Sequence, residues 1–249
     1  MIHIKNTEDI KLMKIAGRIT GEALYLGGEA VKEGVSTKQI DDIIRQHIEK
    51  CGAKPSFLGY GGFPASACIS INDEVIHGIP SKERIIQNGD IVKIDVGAFY
   101  KGFNGDSANT FICGSGSEEA VRLIQATKEA FYKGVAFAKA GCRIGDIGSA
   151  IDAHVRTYGF SVVRKYIGHG VGRELHEDPE VPNFGTAGRG ARLYPGMTIA
   201  IEPMVNVGSY QVKEMPDGWC VKTADGSLSA HYEHSVAITD GEPILLTAI

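Results

Sequence analysis

Nowhere in this chain does an apolar run approach the roughly 20 consecutive residues that a membrane span requires. The N-terminal stretch MIHIKNTEDIKLMKIAG mixes charges among its apolar positions and forms no signal core. No Lys or Arg block stands out for phosphate binding, and 26 basic residues against 30 acidic ones leave a formal charge of −4. Nucleic acid is therefore not the expected main partner. No CxxC pair occurs among the five cysteines, an odd number, which argues against a disulfide scaffold and against a thiolate zinc site. A reducing cytoplasm fits that usage. What is present is ordinary: 249 residues, 43% of them apolar, enough to build one large core.

The chain repeats itself once. Shifted by 107 positions, segment 20–52 falls on 127–159 without a gap and with eleven identities in thirty-three, where chance gives roughly two. The pairs include Glu22/Glu129, Gly34/Gly141, Ile40/Ile147, Ile44/Ile151, His47/His154 and Gly52/Gly159. An internal duplication follows, with halves of about 1–115 and 116–249 in one catalytic domain. Each half reads as two helices followed by strands. Thr7 with Glu8 and Asp9 opens the first helix, which runs to Gly34. Ser36-Thr37-Lys38-Gln39 resembles a capping box for a second, ended by Gly52. In the other half Ser117 opens a helix ending near Gly141, and the stripe Ile147, Ile151, Val155 stops at Gly159. His47 and His154 read as surface or packing residues.

Strand periodicity follows the helices. Gly89–Val96 alternates, and Gly196–Pro203 lies at the same offset, so Asp95 falls on Glu202. A pseudo-twofold pairing of the halves brings both carboxylates towards one axis. Asp106 follows a hairpin turned at Lys101-Gly102 and sits on a strand neighbouring that of Asp95. Glu202 stands between apolar residues, and Glu233 opens a strand. An ionised carboxylate in an apolar strand is costly unless paired or bound to metal. His169, between glycines in Gly168-His169-Gly170-Val171-Gly172, reads as an exposed imidazole. Four acids and one imidazole suit Mn, Fe, Co or Zn rather than a structural thiolate zinc. Two such ions about 3.5–4 Å apart activate a bridging water and clamp an oxyanion.

These residues resemble the type I methionine aminopeptidases. The matching motifs are Lys93-Ile94-Asp95-Val96-Gly97, Gly102-Phe103-Asn104-Gly105-Asp106, Gly168–Gly172, Leu175-His176-Glu177, Ile201-Glu202-Pro203 and Glu233-His234-Ser235. The resemblance covers nearly the whole chain and implies an α+β "pita-bread" fold, an antiparallel sheet covered by helices in two related halves. It implies two divalent ions (Co, Mn, Fe, Zn or Ni) on Asp95, Asp106, His169, Glu202 and Glu233. Glu202 is then also the general base. His176 is implied as a donor to the scissile carbonyl, and His77 as a contact near the scissile amide. Phe57, Tyr60, Phe63, Cys68 and Trp219 line the implied methionine slot, aromatic rings suiting a thioether. Asn72 and Ser229 match the family's monovalent-cation site.

The chain departs from the best-known bacterial pattern at Phe57, Gly61 and Leu175, which reshapes the pocket rim and leaves the metal set intact. The resemblance further implies peptide and nascent-chain N-termini as substrates, a transient ribosome contact, a monomer, no nucleic acid and no membrane. Prolidases and X-Pro aminopeptidases share the ligand pattern but usually carry an added N-terminal domain, for which the first helix near Thr7 leaves no room. A non-catalytic binding protein on this fold is the remaining alternative, disfavoured because all five ligands are present.

Overall fold

A computed structural model describes all residues, 1–249. Helix α1 (Thr7–Glu29) starts where Asn6 accepts from the amides of Glu8 and Asp9, while Asp9 returns a bond to the Asn6 amide. Helix α2 (Thr37–Lys50) starts at the Ser36/Gln39 box read from the sequence. Helices α3 (Glu118–Val135) and α4 (Ile144–Thr157) repeat the pair in the second half. Gly52 and Gly159 end their helices in the left-handed conformation, with φ of 72° and 79°. The following amides reach back to Ile48 and Val155, which closes the last turn.

Gly34 and Gly141 do not end helices. α1 stops at Glu29 and α3 at Val135, and each glycine lies in the connection beyond, its amide bonded to Ile86 O or Leu193 O. Those partners are themselves 107 residues apart. Tertiary hydrogen bonds thus shorten both helices at equivalent places. His47 and His154 also form an equivalent pair: each meets the glutamate of the neighbouring helix, Glu22 at 3.2 Å and Glu129 at 3.0 Å, tying the two helices of its half together.

The strands build one nine-stranded sheet and two small three-stranded ones. At the centre of the large sheet the order is Ile91–Tyr100, Phe103–Ile112, Glu233–Ala237, Thr198–Ile201, all antiparallel. The first two strands belong to one half of the chain and the last two to the other, so the seam between halves lies between Phe103–Ile112 and Glu233–Ala237. Two main apolar cores sit under the two helix pairs. One contains Ile40, Ile44, Ile48, Ile69 and Ile94, the other Ile147, Ile151, Val155, Val162 and Ile201. The Asp95 strand is buried on both faces over its first half, so its alternation does not mark a solvated face. Helix α1 comes close to the Asp106 strand because Gly17 faces Gly105. A Cβ on Gly105 stands 2.8 Å from the Gly17 Cα, so only glycine permits this approach. No helix is long and apolar enough to cross a membrane.

Candidate active site

Register assembles the acids. Cys68, Asp95, Ala108 and Glu233 lie in one row across four adjacent strands. The small Ala108 fills the position between the two carboxylates. Asp106 lies two residues from Ala108 on the same strand and so projects from the same face. Its amide donates to Ser235 Oγ, and that hydroxyl donates back to Asp106 O, which locks the seam between the halves. Glu202 follows the strand Thr198–Ile201 directly, beside the strand that Glu233 opens.

His169 is buried, not exposed as its glycine neighbours suggest. The glycines allow close strand packing: a Cβ on Gly168 or Gly170 meets a neighbouring carbonyl oxygen at 2.4 or 2.2 Å. The imidazole sits on a short strand, Gly168–Gly170, with Nδ1 2.7 Å from Gly170 O. Nδ1 therefore carries the proton, and the Nε2 lone pair faces Glu202 Oε1 at 3.4 Å and Asp106 Oδ2 at 3.7 Å.

The electrostatics of this cluster are unfavourable without a cation. Burial raises Asp106 to about 7. Burial and the Asp106 charge push Asp95 well above the usual carboxylate range. Glu202 and Glu233 are raised likewise, by burial first and then by their acidic neighbours. Burial lowers His169 to about 3, so it stays a neutral ligand. Asp95 Oδ1, Asp106 Oδ1 and Glu233 Oε1 are buried without any hydrogen-bond partner. Orphaned carboxylate oxygens of this kind are expensive. Together with a lone pair held towards them by a backbone carbonyl, they fit a divalent metal centre. Ligating atoms of Asp106, His169 and Glu233 all lie within 4.8 Å of one another.

Metal-free protein should show this strain as a pH effect. Folded-state values above the unfolded ones mean that folding takes up protons, so the acids' stabilising protonation is lost as pH rises through the folded values. His77, His169, His231 and His234 are lowered and act with the opposite sign, but only below their ordinary value of 6.5. In the window above pH 6.5, around the value of about 7 for Asp106, four raised acids outweigh the one opposing group, Lys93, whose amine burial lowers to about 7. The Tm of chelator-treated protein is expected to fall across that window. Added ions, which replace the protons, should raise Tm more at the upper end. An ion at 100 times its Kd adds about 2.7 kcal/mol, roughly 5–10 °C for a chain of this size. A flat Tm in the metal-free protein removes the basis for this reading.

Beside the acids lies a cavity of about 150 Å³. Phe57, Phe63, Cys68 and Trp219 form an apolar wall, and Leu175 completes it. Phe63 meets Trp219 edge to face at 5.1 Å. Tyr60 stands at the rim, 45% exposed. Its hydroxyl is 2.8 Å from His176 Nδ1. When it donates there, the His176 proton is placed on Nε2. His77 follows the strand Glu74–Ile76 with φ of 59°, a strained setting for a residue with a side chain. Burial lowers it to about 4, and so it is neutral near pH 7. All twelve side chains singled out for metal, substrate or catalysis border this one cavity.

The residues that match the monovalent-cation site are engaged by protein groups. Asn72 O already accepts from Lys93 Nζ at 2.7 Å and from the Ser229 amide at 3.1 Å. A carbonyl has two lone pairs, and both are used. Lys93 is 1% exposed, and its amino group rests on the Asn72 carbonyl. Exchanging sodium or potassium for a bulky organic cation is expected to leave turnover within twofold, as measured by steady-state rates. A tenfold loss contradicts it.

A duplicated αβ fold that closes four acids and one imidazole over a small apolar cavity defines a metallohydrolase of the pita-bread class. Comparison with known proteins narrows that class. Residues 11–240 match the model of metallopeptidase family M24. The chain is 54% identical to a methionine aminopeptidase of Clostridium acetobutylicum, covering 99% of each chain. It is 46% identical to methionine aminopeptidase 1 of Bacillus subtilis over the full length of both. The crystal structure of a Thermotoga maritima methionine aminopeptidase superimposes with a TM-score of 0.98 at 43% identity, covering both chains completely. A Pyrococcus furiosus prolidase reaches 0.81 at 26% identity, with 65% of that chain covered. The chain belongs to metallopeptidase family M24, among its methionine aminopeptidases.

One residue close to the acids escaped the reading of the sequence. His231 is fully enclosed beside Glu202 and Glu233. The signal available was its spacing, two positions before a candidate ligand.

Proposed function

We propose that this protein removes the N-terminal methionine from nascent proteins and peptides in the cytoplasm, acting as a single catalytic unit. The observation that carries the reading is the set of buried, partnerless carboxylate oxygens opening onto one apolar cavity. Asp95, Asp106, His169, Glu202 and Glu233 would hold two divalent ions. When bound, such ions lower the pKa of water and neutralise charge developing on the attacked carbonyl oxygen.

The chain's own groups do the rest. The apolar wall of Phe57, Phe63, Cys68, Leu175 and Trp219 takes the thioether side chain and excludes water from it. Glu202, kept basic by burial and by the charges of Asp106 and Asp95, accepts the proton of the attacking water and passes it to the leaving amine. Tyr60 donates to His176 Nδ1, which presents Nε2–H to the carbonyl oxygen. His77, neutral, accepts from or donates to the scissile amide. Acids around the cavity favour a substrate with a free, positively charged α-amine, which confines cleavage to N-termini.

The test is metal-stripped protein assayed on a Met-Ala peptide and on an X-Pro peptide before and after reloading with Mn, Fe, Co, Zn or Ni. Turnover of the Met-Ala peptide that depends on reloading is the expected result. Faster hydrolysis of the X-Pro peptide overturns the proposal in favour of a prolidase-like activity.

A further inference from the structure

His231 takes no part in the steps described above, yet its position is unusual. It ends the strand Ser229–His231 and is 2% exposed. Neither of its ring nitrogens has a hydrogen-bond partner. Its Nε2 faces Glu202 Oε2 at 3.8 Å and Glu233 Oε2 at 3.7 Å. With Asp95 and Glu233 it forms a group whose ligating atoms all lie within 4.8 Å of one another. A buried imidazole left unpaired costs stability, so the placement calls for a function.

Two features separate His231 from His169. The cavity wall contains His169 and the carboxylates but not His231, so His231 backs the acids rather than facing substrate. Gly170 O fixes the His169 proton on Nδ1, whereas no acceptor holds a proton on Nδ1 of His231. In front of Nε2 stand the two glutamate oxygens. Glu202 therefore has an imidazole nitrogen before each oxygen: His169 Nε2 before Oε1 and His231 Nε2 before Oε2.

We propose that His231 is a positioning residue for the metal-binding carboxylates, its neutral ring donating Nε2–H to Glu202 and Glu233 and holding their remaining oxygens towards the ions. The inference rests on the reading of the five-residue set as a metal site. Closing 3.7 Å to hydrogen-bond range takes about half an ångström of side-chain movement, which the three torsions of a glutamate supply. A donor at this place orients two ligands that charge repulsion otherwise spreads apart.

The experiment uses full-length wild type, His231→Gln, which keeps an N–H donor, and His231→Leu, which does not. Each is stripped and titrated calorimetrically with Mn²⁺ and with Zn²⁺, and ring ¹⁵N spectra are recorded on the zinc-loaded wild type. We expect His231→Leu to bind at least one ion 10–100-fold more weakly and His231→Gln to stay within a few-fold of wild type. The His231 ring should carry its proton on Nε2. Unchanged affinity in a folded His231→Leu protein overturns the proposal, as does a proton on Nδ1 or an ion bound directly to the ring. The tautomer decides alone if the leucine variant does not fold. Wild type that takes up no ion at all sinks the metal-site reading itself, a separate failure.

Discussion

Asp106→Ala and Glu233→Ala are each expected to lower turnover of a Met-Ala peptide on the order of 10³-fold or more, with the far-UV circular dichroism unchanged. Both acids sit at the seam between the halves, on the neighbouring central strands Phe103–Ile112 and Glu233–Ala237, and each has an oxygen with no protein partner. In the metal-free chain these carboxylates destabilise: burial raises both, and the charge of Asp106 raises Glu233 further. Removing one relieves repulsion, so the metal-free Tm of either variant should equal or exceed that of wild type. Metal content by mass spectrometry should fall together with activity. A variant that keeps wild-type turnover shows that its carboxylate is not a ligand. A variant that loses activity only because it unfolds shows that the acid had a structural task instead.

Selectivity for the second substrate residue should be nearly as large. A Met-Ala peptide is expected to react at least about 100-fold faster, in kcat/KM, than a Met-Arg peptide. The cavity holds only about 150 Å³. Its mouth is narrowed by the Tyr60–His176 pair, with ring centroids 5.2 Å apart, and by His77 edge-on to Trp219 at 6.3 Å. A side chain of alanine size passes the rim without displacing these rings. An arginine has to break the contact that sets the His176 tautomer. Comparable rates on the two peptides exclude this account of the rim. The positions where the chain departs from the best-known bacterial pattern, Phe57, Gly61 and Leu175, border the cavity or its rim. Phe57 and Leu175 form part of its apolar wall. A Cβ on Gly61 comes within 3.4 Å of Trp219, and its φ of 56° disfavours any side chain there.

Much of this was written in local sequence. Helix caps need only a few adjacent residues, so Ser36/Gln39, Ser117, Gly52 and Gly159 are legible locally. The Lys101-Gly102 hairpin is equally local, both residues having positive φ. The duplication placed Asp95 on Glu202 because a repeat keeps its register wherever no insertion intervenes. Local signals mislead where distant segments decide. Gly34 and Gly141 carry the local signature of helix ends, but their amides donate to the distant Ile86 and Leu193 carbonyls instead. Glycines around His169 looked like exposure, yet they serve strand packing against carbonyl oxygens.

The sequence by itself determined that two related halves exist and that each brings carboxylates on strands, a donor set that suits metal chemistry. These properties depend on residue type and spacing, which any folded form of the chain must carry. Only the tertiary structure decided that the halves meet along the strands of Asp106 and Glu233. It also decided that Lys93 reaches the Asn72 carbonyl and that His231 stands behind the acids. Such relations join residues far apart in the chain, and their distances are set by sheet register and core packing, which have no local signature.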